Sequence, residues 1–120
     1  KLTNVEEYTT SKKAIDYLIQ NYQLEGHLLC TKMFLRGTRY FSDRDVAVLT
    51  INGDKFFSPH PVIDLDTEEK TLSFLKSQTL TYGFVTKTYW LALQRLSVSN
   101  NFKLELLKII GDQYVIRIKI

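Results

Sequence analysis

Apolar residues near the start of the chain recur at intervals of three and four positions: Ile15, Leu18, Ile19 and Tyr22. This is the interval at which side chains share one face of a helix. The run Thr9-Thr10-Ser11 can supply an N-cap before them, and Gly26 follows as a stop signal. The pattern therefore predicts a first helix over about residues 11–23.

The next apolar segments are short and indicate strands. The stretch HLLCTKMFLR, which ends before Gly37, predicts the first of them. Two further runs, DVAVLTI and DKFF, flank Asn52-Gly53, a pair that favours the type I′ turn of a two-residue hairpin. Together these segments predict a three-stranded antiparallel meander over about residues 27–57.

The stretch SPHPVIDLD combines a histidine with two aspartates, the residue types of a metal or acid–base site. The two prolines that flank His60 disfavour helix and remove backbone donors, which predicts an exposed segment in which His60 has no carboxylate or metal partner. Asp66 stands three residues before Glu69 and just ahead of an apolar pattern, as in a capping box. Asp66 is therefore predicted to cap a helix over about residues 67–78, and the stretch is interpreted as structural.

A further helix is predicted from an apolar stripe within an arc of about 100°. Its members are Val85, Tyr89, Ala92, Leu93 and Leu96. Trp90 lies outside this stripe and near Lys87. It could pack in a second layer or where two helices meet, or it could be an exposed aromatic that stacks on a base or anchors a partner. The sequence leaves both interpretations open.

The end of the chain indicates two strands around Gly111-Asp112. Alternation is regular in the last strand, at Tyr114, Ile116, Ile118 and Ile120. It is out of phase in the strand before, and one extra residue at Leu106-Leu107 restores the phase. We therefore predict a hairpin with a β-bulge. In that register Glu105 faces Arg117.

These elements predict one α+β domain spanning residues 1–120. Its five-stranded antiparallel sheet, a meander plus a C-terminal hairpin, carries three helices on one face in the order α-β-β-β-α-α-β-β. A composition of 44% hydrophobic and 24% charged residues is typical of globular proteins. No apolar run is long enough to span a bilayer. The single cysteine, Cys30, excludes an internal disulfide and suits a reducing, intracellular compartment.

Few residues favour enzyme chemistry. His27 and Cys30 have a ligand-like spacing, but on a strand their side chains would project from opposite faces, so no metal site and no cofactor are predicted. Cys30 has no evident base nearby and is interpreted as a small buried hydrophobe. Two carboxylate pairs could serve a hydrolase or nuclease only if they shared a pocket: Asp43 with Asp45, and Asp64 with Asp66. We expect a non-enzymatic protein without catalytic residues, with such a carboxylate-dependent enzyme as the lesser alternative.

The net charge of +3 favours anionic partners. Basic residues interleaved with aromatics suit phosphate contacts and base stacking. The predicted nucleic-acid contacts are Arg36, Arg39, Tyr40, Arg44, Lys87, Trp90, Arg117 and Lys119. We therefore expect a small nucleic-acid-binding module. The alternative is a protein-interaction module, such as a regulatory inhibitor, an adaptor or a domain of a larger chain. One continuous basic face would favour nucleic acid, and cations scattered around an apolar patch would favour a protein partner.

Overall fold

A computed structural model describes residues 4–31, 34–51 and 59–120, which form four helices and six strands. In chain order these are α1 (Asn4–Asn21), β1 (Leu28–Thr31), α2 (Leu35–Ser42), β2 (Val46–Thr50), β3 (Val62–Asp64), α3 (Glu68–Gln78), β4 (Leu80–Val85), α4 (Lys87–Asn100), β5 (Lys103–Ile110) and β6 (Gln113–Lys119). The strands join one mixed sheet of order β3-β2-β1-β4-β6-β5. The predicted five-stranded antiparallel sheet with three helices is wrong.

The central strands are apolar on both faces, and this accounts for their parallel arrangement. Every residue of β1 and β2 is buried. β1 pairs in parallel with both β2 and β4, and β3 adds to β2 in the same direction. Strands buried on both faces need a covering layer on each side of the sheet, which the crossover helices of parallel strands provide.

Helices accordingly cover both faces of the sheet, so the expectation of helices on one face is wrong. α1 and α2 pack on one face, around a core that includes Leu28, Cys30, Phe34, Val48, Phe84 and Val115. α3 and α4 pack on the other, around Leu29, Leu49, Leu75, Leu93, Ile116 and Ile118. Successive strand residues point to opposite faces, so each central strand contributes to both cores. No helix in the described ranges is long and apolar enough to cross a membrane.

The predicted meander over residues 27–57 is wrong because the chain turns into α2 soon after β1. Gly37 does not end a strand but lies within α2. A Cβ at Gly37 would lie 2.6 Å from Ser11 Oγ, so the absence of a side chain lets α1 and α2 pack closely. Ser11 is buried inside α1 rather than at its start. Asn52-Gly53 and the DKFF run lie outside the described residues.

A strand that the sequence pattern did not reveal, β4, lies at the centre of the sheet. Val85, expected in a helical stripe, is its last residue, and α4 begins at Lys87. β4 approaches β1 where Leu29 pairs with Gly83. A Cβ on Gly83 would lie 2.4 Å from the carbonyl oxygen of Leu29, so glycine makes this pairing possible.

The C-terminal hairpin and its bulge are confirmed. Glu105 pairs with Arg117 and Leu106 with Ile116, and the register shifts between Leu106 and Lys108. β6 also pairs antiparallel with β4, so it lies between two strands that run in the opposite direction.

The helix predicted over residues 67–78 is confirmed as α3, but its predicted cap is wrong. Thr67, not Asp66, occupies the N-cap position, and no side chain caps the helix. Asp64 organises the preceding turn instead: its Oδ1 accepts the Asp66 amide at 2.9 Å. The Thr71 hydroxyl donates to the Asp64 carbonyl at 3.0 Å, which ties the end of β3 to the helix.

Candidate nucleic-acid interface

The solvent face of α2 carries two arginines and a tyrosine. At 100° per residue, Arg36, Arg39 and Tyr40 lie within an arc of about 100°, on the side opposite the buried Gly37 and Thr38. All three side chains are exposed. Tyr40 is 76% exposed, and among the described aromatic residues no other is exposed. We call these three side chains the α2 surface.

Packing beneath the α2 surface holds it in place. The Thr38 hydroxyl donates to the Phe34 carbonyl at 2.7 Å, and Phe34 is fully buried in the core. The Tyr40 ring meets Phe41 edge-on with centroids 5.0 Å apart, and Tyr8 of α1 meets it at 6.4 Å. Tyr8 was not predicted as part of the surface, because the predicted helix began after it. These contacts fix the base of the Tyr40 ring while most of the ring stays exposed.

The charge along α2 is predominantly positive but not uniform. Its first turn contains no acidic residue, and no side chain caps its N-terminus. At the other end, Arg39 Nη1 donates to the Arg44 carbonyl at 2.7 Å and lies 4.0 Å from Asp45 Oδ1. Arg44 itself is half-buried, and Asp43 is the C-cap of the helix in a left-handed conformation. The free positive charge is therefore concentrated toward the beginning of α2.

Lys87 and the start of α2 lie at the same end of the sheet, beyond the carboxyl ends of the strands. β1 and β4 are adjacent and parallel, and both α2 and α4 begin just beyond their carboxyl ends. The two helices then cover opposite faces, which makes this end a topological switch point of the kind that binds ligands in open α/β sheets. Arg36 and Lys87 are both exposed in the first turns of these helices, and α4 also lacks an acidic residue there.

Arg117 and Lys119 lie elsewhere. They pair with Tyr82 and Leu80, near the amino end of β4 and therefore at the opposite end of the sheet. Arg117 donates to both carboxylate oxygens of Glu105, at 2.9 and 2.7 Å, and its guanidinium lies 5.2 Å from the ring centroid of Tyr22. The Glu105 carboxylate holds the pKa of Arg117 above its usual range, and Arg117 holds the pKa of Glu105 below its own. The charge of Arg117 is thus compensated within the hairpin, whereas Lys119 is exposed.

Trp90 is also separated from the α2 surface. Its ring stacks on Tyr114 with centroids 5.7 Å apart and planes inclined by 29°. Trp90 is half-buried against the core between the sheet and the α3/α4 layer, on the face opposite α2. This is the second-layer packing that was one of its two interpretations. Trp90 and Tyr40 therefore face different sides of the molecule.

Comparisons with protein-family models, with curated proteins and with solved structures find no match. What the α2 surface binds is therefore inferred from its own geometry and charge.

The residues considered for metal or acid–base chemistry are dispersed. Within the part of the chain that the structure describes, no three His, Cys, Asp or Glu side chains are grouped to hold a metal ion. Cys30 is buried, and burial raises the pKa of its thiol to about 12. Asp64 is engaged in the turn before α3. His60 is half-buried between its two exposed prolines, so the prediction that it is exposed is wrong.

Proposed function

We propose that this chain binds single-stranded nucleic acid through the α2 surface. The observation that carries the proposal is Tyr40, an exposed ring on the same helix face as two exposed arginines. An unpaired base can stack on such a ring whatever its identity, while arginines contact the phosphates on either side. A duplex hides the faces of its bases, so the exposed ring favours a single strand.

The positions of Arg36 and Lys87 support an anionic ligand. A cation in the first turn of a helix is unfavourable, because the helix N-terminus already carries partial positive charge. Both residues occupy such positions, and neither helix has an acidic residue there to compensate. Helix stability therefore does not explain them, whereas attraction of a phosphate chain does.

The proposal leaves out several of the predicted contacts. Arg117 is paired with Glu105, and the Trp90 ring is half-buried and stacked on Tyr114. The contacts proposed here are Arg36, Arg39, Tyr40 and Lys87. On a single strand, three cationic contacts give a slope of log affinity against log salt of about −2.

Substitution of Tyr40 tests the proposal directly. We expect Tyr40→Ala to lose about 1–3 kcal/mol of binding free energy for a labelled oligo-dT and to leave the salt slope unchanged, because stacking is not ionic. Tyr40→Phe keeps the ring and should bind like the wild type. Fluorescence anisotropy measures both, with melts to establish that each variant is folded.

Equal affinity of the Tyr40→Ala and Tyr40→Phe variants would contradict stacking at this residue. Absence of binding to any oligonucleotide at low salt would reject nucleic acid as the ligand. A protein partner would then be the better hypothesis. Its candidate contact surface is edge strand β5, where Leu106 and Ile109 are exposed.

A further inference from the structure

A concave site lies on the face of the sheet opposite the α2 surface. It is a cleft of about 250 Å³ between the first turn of α3 and one side of α4. Leu65, Ala92 and Leu96 form its apolar floor and belong to the core of that face. Pockets for drug-sized ligands start near 300 Å³, so this cleft suits a smaller molecule.

The cleft places opposite charges on its two walls. Glu68 of α3, with Asp66 beside it, lines one wall, and Arg95 of α4 lines the other, with Ser99 one turn further along. Arg95 forms no ion pair with any described residue, Glu68 included. Both side chains are exposed, where pairing with each other would gain little free energy, so each charge stays available to a ligand.

Glu68 is engaged by Asn100 of α4. Asn100 Nδ2 donates to Glu68 Oε1, and the same nitrogen donates to the Leu96 carbonyl at 3.0 Å. The Asn100 amide is thereby anchored on α4 and holds Oε1 of Glu68, which leaves Glu68 Oε2 to accept a hydrogen bond from a ligand. The place of Glu68 in the first turn of α3 accounts for the sign of its charge. It does not account for an unpaired arginine across the cleft.

We infer that this cleft binds a free α-amino acid with a small apolar side chain. The ammonium group meets Glu68, the carboxylate meets the fork of Arg95, and the side chain lies on Ala92 and Leu96. A ligand of a single charge would leave one wall uncompensated, whereas a zwitterion satisfies both. The site is independent of the α2 surface, so it stands or falls separately from nucleic-acid binding.

Isothermal titration calorimetry with alanine, valine, leucine and methionine tests the inference. At least one should bind, and its N-acetyl and amide derivatives should bind about tenfold more weakly or worse, because each lacks one of the two charges. Arg95→Gln should abolish the preference for the free acid over the amide. Glu68→Gln should abolish the preference for the free amine over the N-acetyl form.

Lys103 is an exposed residue on β5, away from the cleft. The Lys103→Gln variant should therefore bind amino acids like the wild type. Absence of binding by all four amino acids to the folded protein would overturn the inference. Unchanged preference for the acid over the amide in Arg95→Gln would do the same, since the carboxylate would then lie elsewhere. Circular dichroism melts of each variant verify that it is folded.

Discussion

Glu105 and Arg117 face each other across the β5–β6 hairpin and are joined by two hydrogen bonds of 2.9 and 2.7 Å. Both side chains are about a quarter exposed, at 24% and 26%. This two-point contact fixes the register on one side of the bulge and engages the Arg117 guanidinium within the hairpin.

Replacing Glu105 with Gln should lower the free energy of unfolding at neutral pH by about 1–2 kcal/mol. The folded-state pKa of Glu105 lies below its ordinary value of 4.5, so the pair stabilises the fold above that value. The contribution is lost as pH falls through the lowered folded-state pKa. Urea unfolding of both proteins should therefore show a difference at pH 7 that shrinks in acid. A difference independent of pH would contradict an ionic origin.

Gly83→Ala should destabilise the protein by about 3 kcal/mol. The added methyl would lie 2.4 Å from the Leu29 carbonyl oxygen, which is backbone and moves only if β1 and β4 separate. Gly111→Ala adds the same methyl where no atom lies within 4 Å. It should cost only about 1 kcal/mol, from its positive φ. Thermal melts compare the two, and equal losses would contradict the close approach of the strands.

Asp64→Ala should cost about 1 kcal/mol, because the Asp66 amide and the Thr67 hydroxyl lose their acceptor ahead of α3. Asp64→Asn keeps an oxygen that can accept the Asp66 amide and should retain most of the stability. Chemical denaturation of the two variants provides the measurement. An Asn variant as unstable as the Ala variant would show that the turn depends on charge rather than on this hydrogen bond.

Cys30 should be unreactive in the folded protein at pH 8. It is fully buried, and burial raises the pKa of its thiol to about 12, so almost no thiolate is present. A chromogenic disulfide reagent should react only when denaturant unfolds the chain. Rapid modification of the native protein would contradict the burial of β1.

The parts of the fold that the sequence predicted correctly are those with local signals. The bulge appeared as a break in alternation at Leu106-Leu107, and α3 appeared as an apolar pattern after a turn. The parallel centre had no such signal, because β1 and β2 are buried on both faces and do not alternate. Their pairing depends on contacts between distant segments, such as Leu29 with Gly83.

The candidate interface was predicted only in part for the same reason. The expected strand ended at Arg36 and left Arg39 in the turn after it, whereas α2 brings both to one helix face. The predicted register already placed Glu105 opposite Arg117, which indicated that the charge of Arg117 would be paired. The sequence gives no comparable sign that Trp90 stacks on Tyr114, because that contact joins α4 to β6.

Binding of nucleic acid by the α2 surface can be measured through the salt dependence of affinity for single-stranded oligo-dT. Fluorescence anisotropy at several salt concentrations should give a slope of log affinity against log salt of about −2 for the wild type. Arg36→Gln and Arg39→Gln should each flatten the slope by about 0.7, because each removes one phosphate contact.

Lys70→Gln removes one charge from an exposed position on α3, on the other face, and should leave the slope unchanged. We expect a flattened slope in both arginine variants and a wild-type slope in the Lys70 variant, with all three folded. A slope that is the same in the wild type and both arginine variants, or no binding at low salt, would contradict the claim that the α2 surface binds nucleic acid.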